Sequence, residues 1–458
     1  MQSPTARRRY GSALALISLS FALACATDSP VAPTGQSSAP TLGAAQQDLQ
    51  GLYVIEARGT TQTVASAIAE IGGTVRADVP QIRLLTASGL DAKKAAALAK
   101  RADVAGVYRD ALFRTALPVR VGQPLRAPSR ARVNGVDQST ATYYSVQWNL
   151  PISDVPLAWR VANGGARQSV WVLDTGYDPN QQDLSGHVPC YSSGISVPRF
   201  PSDATPFDLL MQGSFIASLI SSNGIGNASI APGARLCSRK VISEDGQGAW
   251  GDLAAAIVWA ADHGATVINL SVGAYFDRRT EGSAAIVAML QRAVDFAYAK
   301  GTIVVAAAGD QSSNLDQDGT MISLPAQLDR VLAVGATGPD ASGNYDALAW
   351  YSNYGGDTGI DLVAPGGALP NPGNGFDLVL GACSSFVCNG TNFYVLLQST
   401  SFAAAHVSAA AAVVQDALGG APSADRVTRC LLQYADQVGD MKRFGHGRVN
   451  VYNAAICQ

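Results

Sequence analysis

Gln398-Ser-Thr-Ser-Phe-Ala-Ala-Ala-His-Val407 decides how the rest of the chain is read. One hydroxyl, Ser401, stands among small residues, and an Ala/Val run continues to Val414. The pattern predicts a tight turn entering a buried helix, with Ser401 in its first turn. A helix N-terminus carries unpaired N–H groups and a partial positive charge. A serine hydroxyl placed there stands beside donors able to hold a developing oxyanion. Taken alone, the segment has a simpler reading, an ordinary Ser/Thr helix cap.

Outward from this stretch, Tyr144–Gln458 alternates short apolar runs with longer apolar helical ones. Strands are expected at Ser169–Asp174, Arg235–Ile242, Thr266–Leu270, Thr302–Ala308 and Val331–Gly335, and helices at Asp252–Asp262 and Ser283–Lys300. That order predicts a doubly wound, mostly parallel sheet flanked by helices. Ligands of such sheets gather at the C-terminal ends of the strands. Upstream, Gly51–Arg109 carries runs in the order β-α-β-β-α-β, which suggests a small ferredoxin-like α+β unit. That fold alone specifies no function.

The N-terminus looks like a targeting segment. Arg7, Arg8 and Arg9 precede an apolar stretch, Gly11–Ala24, too short to span a bilayer. Ala22-Leu-Ala-Cys25 resembles a bacterial lipobox with Cys25 lipidated, and plain secretion stays open. Ala26–Gln47 is rich in Ala, Ser, Pro, Thr and Gly and reads as a flexible tether. The six remaining cysteines fit up to three disulfides of open connectivity, with Cys383–Cys388 close enough for a local loop. A net charge of −3 gives no case for nucleic acid, and the membrane enters only through a lipid anchor. The expected layout is signal 1–24, tether 25–47, N-terminal unit 48–115, an exposed Arg/Pro/Ser linker 116–143 and the α/β domain 144–458.

The opening stretch resembles the nucleophile motif of the subtilisin-like serine peptidases, Gly-Thr-Ser-Met-Ala-Ser-Pro-His-Val. Thr400, Ser401, Ala403, His406 and Val407 match, while Ser399 replaces the first Gly and Phe402 the Met. Val172-Leu-Asp-Thr-Gly-Tyr-Asp178 resembles the aspartate motif and makes Asp174 the triad acid. Asp-Thr-Gly is also the aspartic-protease signature, but those enzymes need two such carboxylates side by side, and this chain has one copy. Met211-Gln-Gly-Ser-Phe-Ile-Ala-Ser218 falls where the family has His-Gly-Thr-His-Val-Ala-Gly. This sets Gln212 at the catalytic His position and Phe215 at the second His. Glutamine can hydrogen-bond a serine hydroxyl but cannot take its proton.

By the same resemblance, Glu244-Asp-Gly-Gln-Gly-Ala-Trp250 lines the substrate cleft, with Gly246 and Gly248 on its Gly-rich edge. Ser271, Val272 and Gly273 form the opposite edge, binding extended peptide by strand addition. Val304–Asp310 resembles Val-Ala-Ala-Ala-Gly-Asn, so Asp310 replaces the Asn that donates to the oxyanion. An ionised aspartate accepts only. The sedolisin branch does use Asp there, with a Glu base at acidic pH. Gly51–Arg109 is similar in position to the family's propeptide, which acts as folding chaperone and intramolecular inhibitor.

The resemblance implies a serine endopeptidase homologue acting on, or holding, peptides or proteins. Gln212 and Asp310 argue for a degenerate site with a retained cleft and little hydrolysis. An active, noncanonical, acid-pH peptidase is the alternative. No cofactor is required, and no calcium site is assignable. If only these two side chains are altered, Gln212→His with Asp310→Asn is expected to restore some activity. The tail of the N-terminal unit is expected along Ser271–Gly273.

Overall fold

The computed structural model describes residues 51–457 apart from 116–120, 134, 197–199, 281, 318 and 371–374. The signal, the tether and Cys25 lie outside the described residues.

The N-terminal unit is built from β1 (Tyr53–Ala57), α1 (Thr61–Glu70), β2 (Thr74–Val79), β3 (Leu84–Ser88), α2 (Ala92–Ala99) and β4 (Val104–Arg109). Its sheet has the order β2-β3-β1-β4, each neighbour antiparallel, which is the ferredoxin-like arrangement expected from the run order. Successive residues of β1 face opposite ways. Tyr53 and Ile55 enter a core with Val64 and Ile68 of α1 and Leu98 of α2, whereas Val54 faces the larger domain.

Two strands follow, β5 (Leu112–Arg114) and β6 (Val121–Arg126). The main sheet comprises β7 (Ser169–Asp174), β8 (Cys190–Ser193), β9 (Arg235–Lys240), β11 (Val267–Leu270), β13 (Ile303–Ala307), β15 (Val331–Thr337) and β16 (Leu362–Pro365). Its order is β16-β15-β13-β11-β7-β9-β8 and every pairing is parallel. The chain leaves β7 towards β9 on one side and returns to β11 on the other. That reversal opens a crevice at the strands' C-terminal ends.

Both faces of the sheet are covered, so its strands are apolar throughout. Val170 and Val172 point to the core beneath α6 (Thr400–Leu418). Trp171 and Leu173 point to the core beneath α4 (Trp250–Asp262) and α5 (Ser283–Ala299). Helix α6 is long and apolar enough to cross a bilayer, but 89% of that window is buried inside the protein, as a core helix requires. The remaining elements that bear on the site are α3 (Gln212–Ile220), β10 (Gln247–Ala249), β12 (Ala274–Asp277), β14 (Met321–Leu324), β17 (Val379–Ala382) and β18 (Phe393–Leu397). Disulfides join Cys190–Cys237, Cys383–Cys388 and Cys430–Cys457.

The expectation of an exposed linker over 116–143 does not hold for its described part. β6 pairs antiparallel with β18 at the edge of the β17-β18-β6 sheet. Gln138 is buried, donating to the Ser222 carbonyl at 2.7 Å and accepting from the Ser229 N–H at 2.7 Å. The Arg/Pro/Ser composition suggested solvent, but an edge strand is held by backbone groups that composition does not report. Pro124, which lacks a donor, is tolerated in such a strand.

Candidate active site

Strand β7 delivers Asp174 to the floor of the crevice, fully buried. Its Oδ1 accepts the Thr175 N–H at 2.7 Å, and Oδ2 accepts Gln212 Nε2 at 3.1 Å. Burial pushes its pKa up to about 7, against the Thr175 and Gln212 hydrogen bonds; nearby Asp208 adds to the rise. Helix α3 begins at Gln212, and its N-terminus is held by Asp208. One Asp208 oxygen accepts the N–H groups of Leu210 and Met211, and the other accepts that of Ser214. Met211 sits at φ 84°, a left-handed conformation unusual for a non-glycine residue, which swings the chain into the helix. Gly213 is needed beside it: a Cβ there would stand 2.2 Å from the Gly176 carbonyl oxygen. This close approach brings α3 onto the turn after Asp174.

The Gln212 amide is saturated as a donor. Besides Asp174, Nε2 donates to the Ser271 carbonyl at 2.9 Å. Turning the amide over would set Oε1 against that carbonyl oxygen, so the hydrogen bonding fixes its orientation. Gln212 Oε1 is buried with no partner. Ser401, in the first turn of α6, donates its hydroxyl to the same Ser271 carbonyl at 3.4 Å. Ser271 answers through its own hydroxyl, which donates to the Ser401 carbonyl at 2.9 Å. Thus Asp174, Gln212, Ser271 and Ser401 are brought together, and the acceptor that Ser401 faces is a carbonyl, not a base.

No histidine fills the gap. His187 bonds Ser221 Oγ, and His406 bonds Asn149 and the Phe402 carbonyl. His263 bonds the Trp259 carbonyl, and His446 lies exposed in the C-terminal turn. Phe215, at the second His position, packs on Phe402 with ring centroids 4.4 Å apart, both fully buried. The two departures from the family pattern are therefore one apolar contact.

Asp310, after β13, turns to the N-terminus of α6. Its Oδ1 accepts the Thr400 N–H at 2.8 Å and the Thr400 hydroxyl at 2.7 Å; Oδ2 accepts the Ser399 hydroxyl at 2.7 Å. Burial raises its pKa, opposed by these Thr400 and Ser399 bonds. A carboxylate with both oxygens committed to a helix end is a cap.

Among the described residues, the strand after the N-terminal unit lies on the Gly-rich cleft edge. β5 pairs antiparallel with β10, Phe113 opposite Gly248, and the Thr115 N–H donates to the Gly246 carbonyl at 3.0 Å. A Cβ at Gly248 would stand 2.4 Å from the Phe113 ring, so glycine makes room for it. Phe113 is buried against Trp250, centroids 4.6 Å apart. The expected tail along Ser271–Gly273 is thus found, in its described part, on the opposite edge. Val272 is buried and Gly273 leads into β12, which pairs with β14.

Collinear motifs meeting at one crevice fit what comparison with known proteins finds. The pattern of the Subtilase family matches residues 165–447. The chain belongs to the subtilase family. It is 33% identical over 318 residues to the thermophilic serine proteinase of Bacillus sp. (strain AK1), covering 68% of each. To subtilisin DY of Bacillus licheniformis it is 31% identical over 313 residues, covering 68% of this chain and 99% of that protein. Among solved folds, the epidermin leader peptide processing serine protease of Staphylococcus aureus superposes with TM-score 0.71 at 21% identity, over 89% of this chain and 98% of that one. Fervidolysin of Fervidobacterium pennivorans gives 0.70 at 22% identity, over 89% and 61%.

Two residues of this subtilase site, Asp208 and Phe113, went unnoticed in sequence, and a third was given another role. Ser271 was expected to offer its backbone to a peptide, yet its carbonyl is the hub of the site. Asp208 positions Gln212, and a short Asp-Leu-Leu-Met run before the helix is the signal an N-cap search would find. Phe113 fills the cleft, and its role follows only from a contact across more than 100 residues.

Proposed function

We propose that this subtilase is a degenerate serine endopeptidase homologue whose cleft is held by its own N-terminal unit. The observation that carries the reading is the Gln212 amide, which gives its hydrogens to Asp174 and the Ser271 carbonyl and leaves Ser401 without a proton acceptor. In a subtilisin, loss of the histidine alone costs about 10⁶ in turnover. Loss of one oxyanion donor typically costs a further factor of about 10²–10³. The acid-pH alternative lacks support: Gln212 cannot serve as the base, and both Asp310 oxygens are engaged by Ser399 and Thr400. Asp174, Gln212 and Ser401 stand in the triad positions without forming a working relay. Export behind residues 1–24, with a lipid on Cys25, completes the reading.

Peptide hydrolysis at neutral pH is expected to stay at background, and a fluorophosphonate probe to leave Ser401 unlabelled. Turnover abolished by Ser401→Ala would sink the proposal. A chain unable to acylate Ser401 cannot excise its own N-terminal unit. Intact mass of protein purified from its host is therefore expected to start at or near Cys25 and to retain Gly51–Arg109. β5 on one cleft edge and β6 beside β18 favour an uncut connection. A shortened species that forms in pure protein, and fails to form in Ser401→Ala, would contradict this.

A further inference from the structure

We propose that Ser399 shuts the oxyanion site beside Ser401: its hydroxyl takes the Ser401 N–H that a tetrahedral oxyanion would need, and Asp310 holds that hydroxyl in place. The inference rests on the degenerate reading above and deepens it. Ser399 Oγ accepts the Ser401 N–H at 3.0 Å and donates to Asp310 Oδ2 at 2.7 Å. Asp310 Oδ1 takes the Thr400 N–H at 2.8 Å. Two backbone donors at the head of α6, which would otherwise be open to a developing charge, are thus satisfied within the chain. An incoming oxyanion would have to displace Ser399 from Ser401 and would do so beside a buried carboxylate. Both steps act against it.

The two departures from the family pattern explain each other. A glycine at 399 would leave Asp310 Oδ2 without its Ser399 donor. An asparagine at 310 could present an NH₂ where Asp310 presents an acceptor. Ser399 lies at φ 179°, ψ 155°, extended backbone that any residue adopts, so the side chain, not a backbone constraint, defines this position. Ser399 acts through the Ser401 N–H and is a positioning residue. Gln212→His with Asp310→Asn supplies a base and an amide but keeps the Ser399 hydroxyl that accepts the Ser401 N–H.

The test compares that double variant with three built on it, carrying Ser399→Ala, Ser399→Gly or Ser399→Thr. All are checked for a cooperative thermal transition, and Ser401→Ala sets the background. Fluorophosphonate acylation rates and the kcat and KM of a peptide ester are measured. Relative to the double variant, Ser399→Ala and Ser399→Gly are expected to raise acylation and kcat about 10²-fold with KM little changed. Ser399→Thr keeps the hydroxyl and is expected to stay with the double variant. The inference is overturned if no Ser399 change raises the rate, or if Ser399→Thr gains as much as Ser399→Ala. Failure of the broader reading is separate: it is Ser401-dependent turnover by the unaltered protein, whatever the ratios among the variants.

Discussion

Helices α4 and α6 both begin under a buried carboxylate supplied from elsewhere in the chain, and the two caps serve opposite ends. Asp110, just after β4, accepts the Gly251 N–H on both oxygens, at 3.2 and 3.1 Å, while the Trp250 N–H donates to the Ala111 carbonyl. This cap joins the N-terminal unit to the α/β domain. Asp310 follows β13 of the main sheet, caps the helix that carries Ser401 and closes the site from within. In each case a carboxylate satisfies orphan N–H groups at the positive end of a helix. A cap's consequence lies in what it displaces. At α4 a glycine admits the carboxylate, since a Cβ on Gly251 would stand 2.6 Å from Asp110 Oδ2. At α6 the carboxylate stands where the family pattern has a donor.

If the α4 end is the clamp, its apolar anchor is the place to break it. Phe113 is 1% exposed and fills the space over Gly248 beside Trp250. Phe113→Ala removes a buried ring and is expected to cost about 3–5 kcal/mol. A lowered thermal midpoint and faster cleavage by an added protease within 112–126 are the expected readouts. An unchanged midpoint would mean that β5 contributes nothing to holding the two parts together.

Burial and the neighbouring Asp252 charge push the Asp110 pKa up to about 7. An aspartate in the unfolded chain titrates near ~3.9. The folded state therefore binds the proton more tightly, so stability is fully present below about 4 and is lost as pH rises through 7. Each pH unit within the window is worth at most about 1.4 kcal/mol per group. Urea midpoints are expected to rise from pH 8 to about pH 6.5; below that, buried His187 and His406, whose pKa values burial lowers to about 4, act in the opposite sense. Asp174 shifts in the same direction as Asp110, also to about 7, so it supplies part of that slope. Asp110→Asn keeps an acceptor for Gly251 and is expected to reduce the slope, leaving the share of Asp174 and the other buried aspartates whose pKa burial raises. A slope unchanged by Asp110→Asn would assign the whole effect elsewhere and remove the distinction between the two caps.

How much of this was legible in sequence depends on the kind of contact. Ser169–Asp174 was bounded correctly because an apolar run stops at Asp-Thr-Gly, and the four other expected strands were within two residues, whereas β8 and β16 were not expected as strands. Asp174, Gln212 and Ser401 meet because collinear motifs on strand and helix ends impose it. Side-chain pairs distant in sequence were not legible. Phe215 with Phe402, and Ser399 with Asp310, were read as four separate departures, yet each pair is one contact. The backbone is also silent in composition. Nothing in Leu112–Arg126 announces two strands, since their bonds are made by groups every residue carries.

The smallest expected effect separates the clamp's polar cap from its surface charges. Arg292 on α5 pairs with Glu56 on β1 at 2.7 Å, a polar bond between the N-terminal unit and the supporting helices beside those of Asp110 with Gly251 and Gln81 with Asp262. Its geometry is good, but the arginine side chain is 37% exposed. An exposed pair gains little over two hydrated ions, because water screens the attraction and two long side chains must be ordered to form it. Arg292→Gln is therefore expected to change stability by less than about 1 kcal/mol, with a shift that shrinks further as salt is added. Denaturation midpoints at low and at high salt check this. A loss comparable to that from Phe113→Ala would mean that charge, not the buried ring and the Asp110 cap, holds the N-terminal unit in place. The contrast between the two helix ends would then rest on the wrong residue.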